Sequence, residues 1–514
     1  MDNTIHDVIV VGGGHNGLVA AAYLAKAGKE VLVLEANDIP GGASTSARAF
    51  PEYDARLSRY AYLVSLLPDP IIRDLGLKIP LLSREIMSYT PFREGDRDTG
   101  LLIARNWDEQ TQASFHGIRH GRKDAIAWRA FYEEIGHFAS KVAPSLLEPL
   151  PTRQELKRRT AMGKTWDFLL EKPIGEEILS RFQNDYVRGI ALTDALIGTF
   201  TPAHTMQANA CFLYHLIGNG TGEWKVPQGG MGALVDDLVR VVKESGAAIS
   251  LGSRAVKVET AADRVTVFLA DGRRVMGRYL LCNAAPQVLA RLRGLPSPKS
   301  LEGSQLKVNM LVRELPQFRS GADPVKAFSG TLHIHESYTQ LEQAYKEASI
   351  GQVPTPLPLE IYCHTLTDPS ILSPDLQEKG FHTLTLFGLH TPAALFEKQP
   401  EVAKRNVRDA AIHSLNAFLT DPLDSFLARN SAGELCLEVK TPLDLEAEIG
   451  LPRGNIFHKD LSFPFREENE PSGWGVETKD PRILLCGAGA RRGGGVSGIP
   501  GHNAAMALLE SPFD

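Results

Sequence analysis

One stretch near the start of the sequence constrains the fold more than any other. Residues 7–11 (DVIVV) form a short apolar run, and a glycine-rich turn and an Ala/Leu-rich segment with helical spacing follow it, ending at Gly28. Residues 30–35 (EVLVLE) have the pattern of a second buried strand. Strand, turn, helix and strand in this order make a βαβ unit with a right-handed crossover. We therefore predict an α/β protein built on a parallel sheet.

The turn carries the spacing of a dinucleotide-binding fingerprint. Gly12, Gly14 and Gly17 stand at the positions where glycine permits a tight turn, a close approach of the backbone to a pyrophosphate, and helix packing on the sheet. The first amides of the helix are predicted to hold the pyrophosphate. Glu35 ends the second strand 18 residues after Gly17 (35 − 17). We expect its carboxylate to accept hydrogen bonds from the ribose hydroxyls.

Two further glycine-rich segments favour FAD over a nicotinamide cofactor. The pair Gly41 and Gly42 follows the acidic residue, and residues 482–489 (RILLCGAG) predict a buried strand that leads into a glycine-rich turn and a helix over 493–510. This arrangement fits FAD, a long, extended cofactor that segments from both ends of the chain would bind. The middle of the chain has no second complete fingerprint followed by an acidic residue, so a nicotinamide site is not clearly encoded.

The interior of the chain predicts mixed structure. Residues 226–259 predict a helix from about 232 to 245 and two strands, and residues 264–285 predict a hairpin that turns at Asp271-Gly272. Residues 125–180 predict helices, and the polar stretch 92–124 predicts a hairpin or surface excursion.

Composition excludes several classes of protein. Hydrophobic residues make up 43% and charged residues 23%, which is ordinary for a globular chain. The net charge of −6 argues against nucleic acid as a partner. The five cysteines are far apart and form no CxxC, so we predict neither disulfides nor a metal site, and a reducing compartment. The stretch 195–222 lacks Asp, Glu, Lys and Arg, but its polar residues predict a buried wall rather than a membrane span.

These motifs identify a resemblance to a known family. The segments VGGGHNGLVAAAYLAKAGKEVLVLEANDIPGGASTS and CGAGARRGGGVSGIPGHNAA are similar to those of the phytoene desaturase-like FAD oxidoreductases. Interior segments such as VPQGGMGAL and LPRGNIFHKDLS resemble the branch of pyridine nucleotide-disulphide oxidoreductase domain-containing protein 2. The resemblance implies a Rossmann-like, three-layer FAD-binding domain assembled from 1–75, 218–300 and 475–514. It also implies an α+β substrate domain from 76–217 and 301–474.

The resemblance also implies the residues that hold FAD. The predicted cofactor-binding residues are Gly12, Gly14, His15, Asn16, Gly17, Glu35, Ala36, Gly41, Gly42, Ser44, Val256, Gly229, Gly489, Gly495 and Val496. No residue is predicted to anchor the flavin covalently: His502 and Cys486 are expected to pack or to form hydrogen bonds. Related amine oxidases usually have Arg after the second glycine pair, where this sequence has Ala43, which disfavours an amine oxidase.

Catalytic residues are harder to choose from spacing. The candidates are Lys225, His204, His390 and Arg59, with Lys225 two residues before Pro227 in a segment expected near the flavin. The resemblance implies an enzyme that desaturates, saturates or isomerises an apolar, isoprenoid- or lipid-like substrate. An oxidase or dehydrogenase of amines or other small molecules, and a flavoprotein with a regulatory or partner-binding role, remain as alternatives.

Localisation follows from weaker signals. The N-terminal residues carry no cleavable signal pattern, so we expect a cytoplasmic protein. Basic residues between 153 and 164 indicate either a solvated helix face or a peripheral contact with a membrane. The oligomeric state is not encoded in a readable way.

Overall fold

The computed structural model describes residues 4–220 and 222–511. Its strands, in chain order, are β1 (Ile5–Val11), β2 (Val31–Leu34), β3 (Ser46–Ala47), β4 (Leu57–Ser58), β5 (Leu81–Leu82), β6 (Ile86–Glu94), β7 (Arg97–Ala104), β8 (Val226–Pro227), β9 (Ala248–Ser250), β10 (Ala255–Thr260), β11 (Val265–Leu269), β12 (Arg274–Cys282), β13 (Leu306–Val312), β14 (Thr331–Ile334), β15 (Leu359–Tyr362), β16 (His382–Gly388), β17 (Leu437–Lys440) and β18 (Ile483–Leu485).

Helices surround and connect these strands. In chain order they are α1 (His15–Lys26), α2 (Asp69–Leu75), α3 (Glu109–His116), α4 (Gly121–Val142), α5 (Arg153–Thr160), α6 (Gly163–Leu170), α7 (Ile174–Arg181), α8 (Asp185–Thr193), α9 (Met206–Ile217), α10 (Gly230–Glu244), α11 (Pro286–Leu292), α12 (Pro324–Ser329), α13 (Tyr338–Ser349), α14 (Pro374–Glu378), α15 (Pro400–Asn416), α16 (Pro442–Ile449) and α17 (Ile499–Glu510).

The first large sheet has a parallel centre. Its parallel strands run in the order β9-β2-β1-β12-β18, and β10 and β11 extend it as an antiparallel meander beside the first half of β12. The chain order reverses between β2 and β12 on either side of β1. Such a reversal leaves a crevice at the carboxyl ends of the strands, where open α/β sheets bind ligands.

The two faces of this sheet are covered differently. Helices α1, α10 and α17 pack on one face over Val8, Val10 and Val33, while the meander and α11 cover the other face over Ile9 and Leu280. The result is the predicted three-layer Rossmann-like domain assembled from discontinuous segments. The predicted hairpin at Asp271-Gly272 is confirmed, with Gly272 at φ 87° in the turn.

A second large sheet lies in the remaining chain. Its strand order is β17-β13-β16-β15-β14-β6-β7, antiparallel throughout except where β14 meets β6. Helices α12 and α15 help to bury one face of it. The helices predicted within 125–180 are confirmed and pack with α3 and α9 in an aromatic-rich core. The polar stretch 92–124 is part of the β6–β7 hairpin and α3, so its hairpin belongs to a sheet rather than to a surface excursion.

The structure bears on two ways in which the chain could contact a membrane, a spanning helix and the basic segment 153–164. None of the helices among the described residues is long and apolar enough to cross a bilayer. In the basic segment, Arg153 pairs with Glu467, Arg159 with Glu148 and Lys157 with Asp167, at N–O distances of 2.7, 2.7 and 3.5 Å. These carboxylates neutralise much of the positive charge that suggested a membrane contact.

Candidate FAD site

A cavity of about 620 Å³ lies at the carboxyl ends of β1, β2 and β12. Gly12, Glu35 and Asn283 line it where these three strands end. The cavity continues to the second sheet, where Lys307 of β13 and Phe387 of β16 face it. One space therefore joins the dinucleotide fingerprint to the wall formed by the second sheet.

Each of the three fingerprint positions requires glycine for a different geometric reason. Gly12 takes φ 102°, a conformation that other residues rarely adopt. A Cβ on Gly14 would lie 3.0 Å from Asn283 Nδ2, and one on Gly17 would lie 2.3 Å from the carbonyl oxygen of Gly12. Asn283 Nδ2 donates to that same oxygen at 3.0 Å. The Asn283 side chain therefore braces the turn, and Gly17 acts in packing rather than in lining the cavity.

Glu35 is fixed in place by backbone amides. Its Oε2 accepts from the N–H of Gly13 and its Oε1 from the N–H of Asn37, both at 2.8 Å. The residue is only 7% exposed and lines the cavity together with Ala36. Each carboxylate oxygen has a second lone pair, so both can still accept from a ribose hydroxyl as predicted.

The second glycine pair brings the backbone close to helix α10. Gly41 and Gly42 take φ 118° and 55°, and a Cβ on Gly41 would meet Val235 at 2.9 Å. Ser44 does not line the cavity; its Oγ lies 3.1 Å from Nδ1 of His15, which does. Burial lowers the pKa of His15 to about 4, so its ring is neutral at pH 7.

The remaining predicted cofactor residues divide into two groups. Gly495 and Val496 line the cavity, and so does Val256 at its half-exposed edge. Gly489 and Gly229 do not. Gly489 packs against Pro286, where a Cβ would meet Cδ at 2.5 Å, and Gly229 caps α10 while its N–H donates to Asp368 at 2.6 Å.

The residues present fit FAD. His15 Nε2 and Asn16 Oδ1 are buried beside the cavity and have no hydrogen-bond partner within the described part of the chain. Buried polar atoms of this kind are costly unless a ligand pairs with them. They sit at the start of α1, where free amides favour a phosphate. Glycines leave the backbone open on both sides of that point, at 12–14 and 494–495.

The four predicted catalytic residues lie outside the cavity wall. Arg59 Nη2 pairs with Glu438 at 2.6 Å, and Lys225 is one-third exposed with its Nζ 3.7 Å from Glu223. His204 is half-exposed and faces Tyr338 across 3.3 Å. His390 is buried between Phe200 and Tyr345.

Sequence reasoning missed Lys307. Its Nζ donates to the carbonyl oxygen of Ser58 at 2.9 Å and also to that of Tyr60, and it lies 4.7 Å from the ring centre of Tyr62. Burial lowers its pKa well below the ordinary value for lysine. The only signal in the sequence was a lysine within the apolar run LKVNMLV, which does not indicate what the side chain faces.

His215 also belongs to the wall. Its ring stacks on Trp224 with centres 4.9 Å apart, and both line the cavity. Its Nδ1 lies 3.0 Å from the carbonyl oxygen of Cys211. Because a carbonyl only accepts, Nδ1 carries the proton and Nε2 keeps a lone pair. Burial lowers the pKa of His215 to about 4, so this tautomer is neutral at pH 7.

Comparison with known proteins agrees with this geometry. Residues 10–70 match the family model of an NAD(P)-binding Rossmann-like domain, and residues 82–317 match that of the flavin containing amine oxidoreductases. A putrescine oxidase variant has the same fold, with a TM-score of 0.59 at 18% identity over 98% of this chain and 99% of its own. The fold and the site define an FAD-dependent oxidoreductase.

Proteins of similar sequence assign the chain to a particular family of oxidoreductases. An uncharacterized protein of Mycobacterium tuberculosis is 44% identical over 98% of this chain and 97% of its own. The mouse pyridine nucleotide-disulfide oxidoreductase domain-containing protein 2 is 32% identical over 98% of this chain and 93% of its own. The chain belongs to the family of this mouse protein. A phytoene desaturase (lycopene-forming) of Pantoea ananas is 25% identical over 54% of this chain and 55% of its own.

Proposed function

We propose that the protein exchanges hydride between FAD and a carbon of an apolar, isoprenoid- or lipid-like substrate, and so desaturates, saturates or isomerises it. FAD, held non-covalently, supplies the two-electron acceptor or donor of this chemistry. In the desaturating direction one carbon gives up a hydride and its neighbour gives up a proton, and a double bond forms between them.

The apolar wall of the cavity carries this proposal. Many of the lining side chains are aromatic or aliphatic: Tyr62, Leu63, Leu66, Ile197, Tyr214, Trp224, Phe387, Leu445, Ile449, Leu451, Ile456, Phe457 and Leu461. Each such side chain gains free energy when a hydrocarbon displaces water from it, at about 25 cal/mol per Å² of apolar surface removed from water. A long hydrocarbon substrate is favoured by this lining.

The charged residues of the wall disfavour an amine. The lining carboxylates are Glu35, Glu446 and Glu448. Glu35 is bound by two amides, Glu446 accepts from the N–H of Arg453 at 2.8 Å, and Glu448 pairs with Lys440 and Tyr60. Glu448 is already neutralised by the ammonium group of Lys440, and Glu35 lies at the fingerprint, where its free lone pairs suit the ribose hydroxyls.

Two residues of the wall suit the handling of the proton. Neutral His215 presents the lone pair of Nε2, and Lys307 is held at the wall by two carbonyl oxygens. The proton beside a carbon that has lost hydride is strongly acidic, so a neutral imidazole can take it even though burial lowers the pKa of His215 to about 4. The surrounding aromatic side chains exclude water, so the proton transfer does not compete with solvent.

The proposal is tested by what the protein holds and what reduces it. An organic-solvent extract of freshly purified protein is analysed by mass spectrometry, and the flavin absorbance is followed anaerobically with polyenes, isoprenoid alcohols and primary amines. We expect FAD with a co-purified lipid, and bleaching or re-oxidation by the apolar compounds. Rapid bleaching by amines together with an extract that contains FAD alone would contradict the proposal.

A further inference from the structure

A second group of chemically active side chains lies away from the FAD cavity, in the interior of the second sheet. His333 on β14 and Glu360 on β15 are direct cross-strand partners. Glu336 follows β14 and returns to the same point. The donor atoms of these three residues all lie within 4.8 Å of one another, and the side chains are 5%, 4% and 0% exposed.

The backbone is shaped to bring Glu336 there. His335 takes φ 54°, a left-handed conformation that is strained for a residue with a side chain. The turn places Oε2 of Glu336 2.6 Å from Nδ1 of His333. Helix α8 packs directly on this turn at Gly189, where a Cβ would lie 1.7 Å from the carbonyl oxygen of Glu336. A strained turn and an obligatory glycine thus fix one carboxylate beside one imidazole.

One polar atom of this group lacks a hydrogen-bond partner among the described residues. Glu360 is satisfied, because Thr193 Oγ1 donates to its Oε1 at 3.1 Å and the Tyr362 hydroxyl donates to its Oε2. Oε1 of Glu336 is fully buried and has no hydrogen-bond partner in the described part of the chain. A buried carboxylate oxygen without a partner costs several times what a formed hydrogen bond contributes. The geometry leaves an acceptor that a cation would satisfy.

We propose that His333, Glu336 and Glu360 bind a divalent transition-metal cation such as Zn²⁺ or Mn²⁺. One imidazole nitrogen and two carboxylates are ligands that these ions accept, with ligand bonds of about 2.0–2.2 Å. Ligands bonded at about 2.1 Å to one ion lie at most about 4.2 Å apart. The donor atoms here lie within 4.8 Å of one another, so binding would draw them slightly closer and would open the 2.6 Å contact between His333 and Glu336. Asp194, directly after α8, and Arg84, between β5 and β6, also interact electrostatically with the group.

The site would have a structural role. A bound ion would join β14, β15 and the turn that supports α8. Glu360 is paired across the sheet with Phe387, and Phe387 with Lys307, so Lys307 lies two strands away from Glu360 in the same row of cross-strand neighbours. Because the donors are buried, a bound ion would exchange slowly and survive purification. The proposal does not rest on the substrate of the FAD cavity.

The metal content of the FAD-loaded protein tests it directly. The protein is produced in medium supplemented with Zn²⁺ and Mn²⁺, purified through a tag without histidine, and analysed by inductively coupled plasma mass spectrometry. We expect about one metal ion per chain in the wild type and less than about a tenth in Glu336→Gln. Glu342→Gln is the matched control, since Glu342 is a largely buried acid on α13 outside the group.

The wild type alone decides the outcome if the variant does not fold. Folded, FAD-loaded wild type without a stoichiometric metal, and with a Tm unmoved by added Zn²⁺ or Mn²⁺, would overturn the proposal. Equal metal in Glu336→Gln and the wild type would overturn it as well. Loss of metal in Glu336→Gln with an unchanged flavin content would support it.

Discussion

At the residue scale, burial decides which groups of the cavity wall can accept a proton. His215 is held as the neutral tautomer by the carbonyl of Cys211, while Lys307 is deprived of water and is held by two carbonyls. Neither role is visible in a residue type alone. Each arises because a strand or helix carries a polar side chain to the one face that meets the cavity.

The role of His215 gives a paired prediction. We expect His215→Gln to keep FAD and to slow flavin reduction by an apolar substrate about 100-fold or more, because a positioned acid or base contributes at least that much. His204→Gln, which changes a half-exposed ring outside the wall, is expected to leave the rate unchanged. Stopped-flow flavin reduction measures both. Equal rates in His215→Gln and the wild type would remove His215 from the mechanism.

The buried ring of His390 is expected to make the free energy of unfolding depend on pH. Burial lowers its pKa to about 3, so the folded protein keeps it neutral while the unfolded chain takes up a proton below pH 6.5. The contribution of neutral His390 to the free energy of unfolding is fully present above pH 6.5 and is lost as the pH drops towards 3. At pH 5 the loss is about 2 kcal/mol.

We therefore expect His390→Asn to flatten the decline of unfolding free energy between pH 6.5 and 5, whatever its stability at pH 7. Asn tolerates the φ of 52° found there. Urea unfolding at several pH values measures the slope, with His204→Asn as the exposed control. An unchanged slope in His390→Asn would contradict the low pKa of His390, and slowed flavin reduction would support the prediction that His390 is catalytic.

At the element scale, the crossing of α1 and α17 positions the start of the FAD site. A Cβ on Gly501 of α17 would lie 2.0 Å from the carbonyl oxygen of Asn16 on α1. We expect Gly501→Ala to push α1 from the sheet, to cost on the order of 1–3 kcal/mol, and to weaken FAD binding.

Gly136→Ala is the matched control for that substitution. Gly136 lies on the exposed face of α4, and an added Cβ would meet nothing within 4 Å. Replacing it is expected to stabilise the protein by about 0.5–1 kcal/mol with FAD affinity unchanged. Thermal unfolding and fluorescence titration of the apoprotein with FAD compare the two. Similar losses in both variants would show that the crossing has no special role.

The same elements show what the sequence could predict. The β1–α1–β2 unit, the helix α10 and the hairpin at Asp271-Gly272 are encoded by local patterns and were predicted correctly. The sequence patterns did not resolve the second sheet into strands, because β13 pairs with residues 70 or more positions away (382 − 312 = 70), as in the pairing of Lys307 with Phe387 and Lys440. The cofactor motif was readable for the same local reason, whereas the cavity wall and the group at His333 depend on those long-range pairings.

At the scale of the whole molecule, the FAD cavity takes its walls from distant parts of the chain. The cavity is bounded by the first sheet, by β13 and β16 of the second sheet, and by α16 and the loop after it at 450–451. We predict that adding FAD to apoprotein slows deuterium exchange together at 12–17, 445–451 and 494–496. Exchange mass spectrometry measures this, and protection confined to 12–17 would contradict a site closed by α16 and by the glycine-rich segment before α17.

The parallel sheet is completed by β18, and α17 then covers α1. During synthesis on a ribosome, β1 and the fingerprint turn emerge first, yet the glycines at 494–495 that close the cavity emerge hundreds of residues later. Six of the seven strands of the sheet are made before β18, and until then β12 keeps an open edge, which is the kind of surface that chaperones shield. FAD supply in the cell therefore acts late, on an almost finished chain, and a shortage would leave full-length protein rather than short fragments.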